Sequence, residues 1–248
     1  MAGLLIVNAD DLGGNSLATD RILGCFAAGT ITSATAMVFM ADSARAASFA
    51  RGIGMPVGLH LNLTQPFDDP DVPRDVARRQ RRLVDYMAHA RRRKFGVAPQ
   101  LVGTIRAAIA DQVERFHELY GSEPTHLDGH NHVHLNPTVL LCLPAGWSVR
   151  PAHDPSVNGA RAAVWRRGRD LAVTWRHPTV DHFFALAAVH PALGGTGLER
   201  ALGLAGSESV EIMVHPDDDR TYEVLVQSNW REHLAARRLG SYSDLRLR

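Results

Sequence analysis

Cysteine is scarce in this chain. There are two, Cys25 and Cys142, each among apolar neighbours and neither in a CxxC pair, so a disulfide framework is not expected and a reducing compartment fits. No apolar run approaches the roughly 20 residues of a membrane helix, which predicts no membrane span. The opening Met-Ala-Gly-Leu-Leu-Ile-Val lacks the basic region and cleavage site of a secretory leader. These absences predict a soluble, cytoplasmic protein. Neither charge sign dominates: Lys plus Arg is 27, Asp plus Glu is 26, and the formal net charge is +1. That balance exerts no global pull toward nucleic acid or an anionic membrane. Lysine is nearly missing, Lys94 being the only one, a compositional bias to which no function attaches. Internal repeats, low-complexity tracts and long linkers are lacking as well. A chain of 248 residues, 45% hydrophobic and 21% charged, is then expected to fold as one globular domain of α/β type.

What stands out is histidine. There are thirteen, and His126, His130, His132 and His134 fall in one short stretch.

Along the chain, the continuous apolar run Leu4–Val7 predicts a strand buried on both faces, ending in the acidic, turn-rich segment Asn8–Asn15. A helix is expected over Ser16–Ala28 with Gly29 as its stop. A second strand follows over Thr32–Phe39, a second helix over Ser43–Arg51 and a third strand over Val57–Leu63. Pro66, Pro70 and Pro73 mark a loop, and the arginine-rich stretch Arg74–Lys94 reads as one helix with a basic exposed face. The whole segment of about 65–97 reads as a basic helical insert. Leu101, Ile105, Ile109, Val113, Phe116 and Tyr120 repeat at helical spacing, predicting a helix over Ala98–Tyr120 that Gly121 ends. A strand end over Thr125–His130, a short helix over Pro137–Leu143 and a short strand over Trp147–Arg150 come next. Asp154–Gly206 is the least legible part. Val210–Val214 predicts a strand, and Glu223–Leu239 a C-terminal helix. Strands alternating with helices predict a largely parallel sheet, closed or nearly closed into a barrel. In such folds reactive groups gather at the carboxyl ends of strands, and Asp10 with Asp11, His60, His130 and His215 each follow or end an apolar run.

The chemistry of these positions has two readings each. Adjacent carboxylates repel, and a divalent cation on one of Asp10 and Asp11 would leave the other as a base; alternatively one caps the helix near Ser16. His60 is either a ligand or a core histidine between Leu59 and Leu61. In Thr125–His134, residues 126, 128, 130, 132 and 134 share a face only while the chain stays extended, so the stretch is either a metal site or a polar loop. An aspartate with two histidines and open positions is a catalytic arrangement rather than a closed structural one. His215, before Pro216 and an acidic turn, is a proton donor or a cap. The stretch Arg78–Lys94 has one aromatic residue before Phe95, Tyr86, and reads as a solvated helix face sooner than a nucleic-acid surface. It could also border a site and contact an anionic substrate group.

Four motifs occur in order: Asn8-Ala9-Asp10-Asp11-Leu12-Gly13, Gly58–Thr64, Thr125–His134 and Met213-Val214-His215-Pro216. Together they resemble the YdjC-like carbohydrate deacetylases, over the N-terminal two-thirds and again from Val210. The resemblance implies a distorted (β/α) barrel of TIM-barrel type in a single domain, with one divalent metal ion held by Asp11, His60 and His130. It implies Asp10 as the base, His215 as the acid and Arg150, in Val149-Arg150-Pro151, as the residue that orients the base. Asp128 is expected to hold a histidine in its tautomer. Zinc suits the donor set better than magnesium. The implied activity is hydrolysis of the acetamide of a small N-acetylated carbohydrate, with no nucleic-acid partner. Oligomeric state is left open, a homodimer being the first to test. Asp217-Asp218-Asp219 stands where a glycine and an aromatic are more usual. A phosphoesterase using two metals and a non-catalytic sugar-binding protein are the competing readings.

Overall fold

The structure is a computed structural model that describes residues 3–152 and 168–245. Leu4, Leu5, Ile6 and Val7 are all buried, and the apolar run builds β1 (Leu4–Leu12) as a central strand. Around it lie β2 (Ser33–Ala36), β3 (Val57–Leu61), β4 (Leu127–Gly129), β5 (His182–Ala185) and β6 (Ser209–Val214), in the order β4-β3-β2-β1-β6-β5 with every pairing parallel. Val149 adds a bridge to Leu127 beyond β4, and its N–H donates to the Pro178 carbonyl at 2.9 Å, shortly before β5 begins. The sheet thereby curls toward closure, giving the distorted (β/α) barrel of a single α/β domain.

The two faces of this sheet differ in chemistry because side chains alternate along a strand. Leu5, Val7, Ala9, Leu59, Leu61, Leu127, Val210, Ile212 and Val214 belong to the main apolar core, which the helices cover. The alternate positions carry Asn8, Asp10, Thr35, His60, Asp128 and Glu211, all buried polar groups. Below them, Leu4 and Ile6 pack with Val180 and Tyr242 in a small second cluster. Polar groups therefore occupy the concave interior at the carboxyl ends of the strands, above an apolar floor.

Several expected boundaries move. β1 runs on to Leu12 rather than ending at Val7, because Asn8 and Asp10 find buried partners: Ser33 Oγ donates to Asn8 Oδ1 at 2.8 Å and Asn8 Nδ2 to Asp10 Oδ1 at 3.1 Å. β2 and β3 are shorter than expected, at Ser33–Ala36 and Val57–Leu61. The basic stretch forms two helices, Arg74–Met87 and Ala90–Phe95, rather than one. The second is redirected by Asn136, whose Nδ2 donates to the carbonyls of Arg92, Arg93 and Gly96 while its Oδ1 caps the helix Pro137–Cys142. The expected C-terminal helix is likewise two, Asp219–Val226 and Ser228–Ala235, broken at Gln227, whose ψ of 150° is extended. The helix Val102–Tyr120 starts a little late, after a 3-10 turn, and ends as expected on Gly121, at φ 69° in the left-handed region. Within the least legible stretch, residues 154–167 lie outside the described residues; 183–189 is a strand end followed by the helix Leu186–Val189.

One glycine shows how tightly the interior is filled. A Cβ on Gly58 would lie 2.5 Å from His126 Nδ1 and 2.7 Å from the His126 carbonyl oxygen. Gly58→Ala is expected to cost about 1–3 kcal/mol through overpacking, read as a lower midpoint in urea unfolding at unchanged slope.

Candidate metal centre and active site

Asp10 and Asp11 sit in the last residues of β1, where pairing with β2 becomes irregular between Ala9 and Leu12. Asp11 has φ 68°, a left-handed conformation that aspartate tolerates better than most residues. The twist matters: it sends the Asp10 side chain into the barrel and the Asp11 carboxylate across the strand ends. Asp11 Oδ1 lies 3.2 Å from His60 Nε2 and 3.1 Å from His130 Nδ1. The three side chains offer ligand atoms that all lie within 4.8 Å of one another. Donors around one zinc-sized ion stand about 3.3 Å apart if metal–ligand bonds are near 2.0–2.1 Å and tetrahedral, so the cluster has the right span for one cation.

His60 is oriented from behind. Its Nδ1 meets Asp128 Oδ1 at 2.7 Å, and Thr35 Oγ1 donates to Asp128 Oδ2 at 3.0 Å. A ring that gives its Nδ1–H to a carboxylate keeps the Nε2 lone pair for the cluster. The β3–β4 register places His60 beside Asp128, so the pair is a product of strand pairing.

Charge supports the same conclusion. Burial works against ionising Asp11, yet the facing His60 and His130 hold its carboxyl well below the usual carboxylate range. Burial would also lower His60, but Asp128 and Asp11 raise it well above an ordinary histidine. Asp10, Asp128 and Glu211 each pair with the permanent cation Arg150, while Asp11 beside them faces His60, His130 and His215. The excess of negative charge is what a divalent cation balances, and the two imidazoles and one carboxylate fit such an ion.

A second group, Asp10 with His60 and Asp128, has the same spacing among the described residues. Arg150 already fills it. The guanidinium is fully buried; Nη1 and Nη2 grip Asp10 Oδ2 and Oδ1 at 2.8 and 2.7 Å, and Nη1 also meets Asp128 Oδ2 at 2.7 Å. Its Nε and Nη2 reach Glu211 Oε1 at 2.8 and 2.7 Å. Burial opposes ionising Asp128, but Arg150 and His60 keep its carboxyl well below the usual range.

His215 follows β6 directly and is 40% exposed. Its Nε2 stands 3.9 Å from Asp10 Oδ2 and 3.8 Å from Asp11 Oδ2, at the solvent side of the cluster. The acidic run after it is structural: Asp218 accepts from the Thr221 N–H at 2.8 Å as a helix cap. Arg21 pairs with Asp219 at 2.7 Å and donates to the Pro216 and Asp217 carbonyls, which pins the turn carrying His215.

All seven side chains singled out from the sequence, Asp10, Asp11, His60, Asp128, His130, Arg150 and His215, meet in this one place. The histidine stretch does not act as a unit. The chain leaves the strand at His130, and Asn131 and His132 take φ values of 54° and 55°. His130 reaches Asp11, His132 faces solvent, and His134 is buried with Nε2 3.2 Å from the Arg150 carbonyl. His126 is buried against the Tyr242 ring, with centroids 3.9 Å apart and planes 6° from parallel. Sequence reasoning missed Thr35, Glu211 and Tyr242. Only Glu211 left a signal, as one charged residue inside the apolar run Val210–Val214.

Burial pushes His126 down to about 3. An unfolded histidine takes up its proton near pH 6.5; the folded chain refuses it until far lower pH. The unfolded state thus binds more protons between these values, and stability falls as pH drops below 6.5. From pH 7 to pH 5 the loss from this residue is roughly 2 kcal/mol, measurable by urea unfolding of the parent and of His126→Asn, whose pH dependence is expected to be shallower.

The fold and the cluster define a class: an α/β barrel with an acid–imidazole cluster that could hold a metal ion at the carboxyl ends of its strands. Residues 4–238 match the model of the YdjC-like protein family. The chain belongs to that family. It is 30% identical over 217 residues to the chitooligosaccharide deacetylase of Serratia marcescens, spanning 87% of this chain and 82% of the relative. It is 32% identical over 218 residues to the carbohydrate deacetylase of Geobacillus stearothermophilus, spanning 85% and 78%. Among solved structures, a protein of Enterococcus faecalis V583 described as a cellobiose-phosphate cleavage protein superposes with a TM-score of 0.70 at 20% identity over the full length of both chains. That likeness concerns the fold alone.

Proposed function

We propose that this protein is a metal-dependent hydrolase that removes the acetyl group from an N-acetylated amino sugar, yielding a free amine and acetate. The observation that carries the reading is the convergence of Asp11, His60 and His130 within 4.8 Å, with Asp10 and His215 on its margin. The two relatives, both deacetylases of carbohydrates by name, supply the substrate class.

Asp11, His60 and His130 would hold one divalent ion, zinc being better suited than magnesium to two imidazoles and a carboxylate. When bound, such an ion supplies Lewis-acid polarisation of the acetamide carbonyl and a lowered pKa for water. The remaining work belongs to the chain. Asp10 Oδ2, the oxygen facing His215, accepts a proton from the attacking water. Arg150 fixes the plane of the Asp10 carboxylate with its paired donors, so the acceptor is aimed before substrate arrives. Asp128 holds the His60 ring by Nδ1. His215 Nε2 gives a proton to the sugar nitrogen as the C–N bond breaks, which turns a poor leaving group into a neutral amine. Its exposure lets it reload from solvent between turnovers.

The phosphoesterase reading needs a second ion, and the second carboxylate group is already neutralised by the Arg150 guanidinium. The described residues contain no helix long and apolar enough to cross a membrane, and both cysteines are free; a reducing cytoplasm is the location this reading adopts.

The test is a screen of the zinc-loaded protein against N-acetylated mono- and oligosaccharides, with released primary amine as readout. Amine release that stops on chelation and returns with zinc is the expected result. Phosphate release from phosphoesters without amine release would overturn the reading.

A further inference from the structure

The guanidinium of Arg150 is anchored on two sides. Its Asp10 contacts face the cluster, and its Nε and Nη2 contacts to Glu211 Oε1 lie on the other side. Nε donates to Glu211 Oε1 and the two Nη atoms donate to Asp10, while Nη1 and Nη2 also form close ion pairs with Asp128 Oδ2 and Glu211 Oε1 at 2.7 Å. Glu211 has a second oxygen, and its partner comes from the far end of the chain: the Tyr242 hydroxyl donates to Glu211 Oε2 at 2.5 Å.

Tyr242 is itself held from several directions. Its ring stacks on His126, and it packs with Leu4, Ile6 and Val180 in the interior cluster. The turn that carries it is closed by a capping box between Ser241 and Asp244, with Asp244 Oδ2 accepting from the Ser241 N–H at 2.8 Å. The preceding residues are tied to β1 by the Leu5–Leu239 bridge and the Gly240 N–H to Leu5 carbonyl bond at 3.2 Å. This segment lies beyond residue 238, where the match to the family ends.

We infer that Tyr242 and Glu211 are positioning residues: the C-terminal segment enters the floor of the barrel and, through Glu211, clamps Arg150 in the orientation that aims Asp10. A glutamine here would keep one acceptor oxygen for Arg150, but it would lose the charge that pairs with the guanidinium and would force the Tyr242 hydroxyl to turn from donor to acceptor. The clamp is rigid because every member is buried and every polar atom that joins it has a partner. The inference rests on the proposed role of Asp10.

The experiment uses full-length Tyr242→Phe, Glu211→Gln and the double variant, with folding checked by circular dichroism. Tyr242→Phe is expected to lower kcat by about tenfold, in the range for loss of a group supporting a catalytic residue, with KM within twofold of the parent. The double variant is expected to be no slower than Glu211→Gln alone, because Tyr242 acts only through Glu211. Hydrogen exchange of the Arg150 Nε–H, followed by NMR, is expected to speed up by about tenfold in Tyr242→Phe as its acceptor loosens. Independent, multiplying losses in the double variant, or unchanged kcat in a folded Tyr242→Phe, would overturn the inference. If the parent releases no amine from any N-acetylated sugar, the proposed function falls, and unchanged Nε–H exchange would then overturn the clamp separately. Should Tyr242→Phe not fold, Glu211→Gln carries the same kcat, KM and exchange tests.

Discussion

Asp11→Asn is expected to abolish uptake of a divalent ion and to lower amine release by about a thousandfold, equivalent to roughly 4 kcal/mol of lost transition-state stabilisation. Asparagine is the informative replacement. Asp11 stands at φ 68°, and asparagine accepts the left-handed region about as readily as aspartate, so the backbone turn survives and only charge and donor are lost. Alanine would confound that loss with strain at the same position. Titration calorimetry with zinc reports the binding, and the amine assay reports the chemistry. Asp11→Asn with parental zinc affinity would mean that the ion, if one binds, sits elsewhere.

The second large effect is on stability. Arg150→Met is expected to cost about 3–5 kcal/mol, the usual penalty for removing one partner of a buried ionic group. Asp10, Asp128 and Glu211 all lean on this guanidinium from distances of 2.7–2.8 Å, and methionine leaves three acidic groups in a dry interior facing one another. Arg150→Lys keeps the charge but not the planar fork that meets three carboxylates at once, so it is expected to recover part of the stability and little of the rate. Urea unfolding at pH 7 separates the two variants. The direction with pH is also set. Asp128 is held ionised by Arg150 and His60, so its contribution is present above the ordinary carboxylate range and disappears as acid protonates it. In Arg150→Met that acid-labile part is expected to be smaller.

Much of this site is legible in the amino-acid sequence, for particular reasons. Asp10-Asp11, His60 and His215 follow or end apolar runs, and strands of an α/β barrel deliver such positions to one rim. The order of the motifs picks out the residues, and the resemblance assigns them roles. Resemblance alone points to Arg150 as the residue that orients the base, and the structure brings it onto Asp10. The boundaries that differ do so where long-range partners overrule local pattern. β1 continues past its apolar run because Ser33 and Thr35 of the neighbouring strand satisfy Asn8 and Asp10. The basic stretch breaks because Asn136, some forty residues later in the chain, draws the second helix toward the histidine loop.

The amino-acid sequence alone determined the alternation of strands and helices, and it marked out the acidic and histidine side chains proposed for metal binding and proton transfer. The first follows from local periodicity; the second follows from residue type and motif order, with the roles supplied by the family resemblance. Tertiary structure decided which of the four clustered histidines faces Asp11, that Arg150 is the shared cation of three acids, and that Glu211 and Tyr242 stand behind it. Those outcomes depend on strand register and on which face of the sheet a residue takes. Such information is held in pairings between residues far apart in the chain, and no local window contains it.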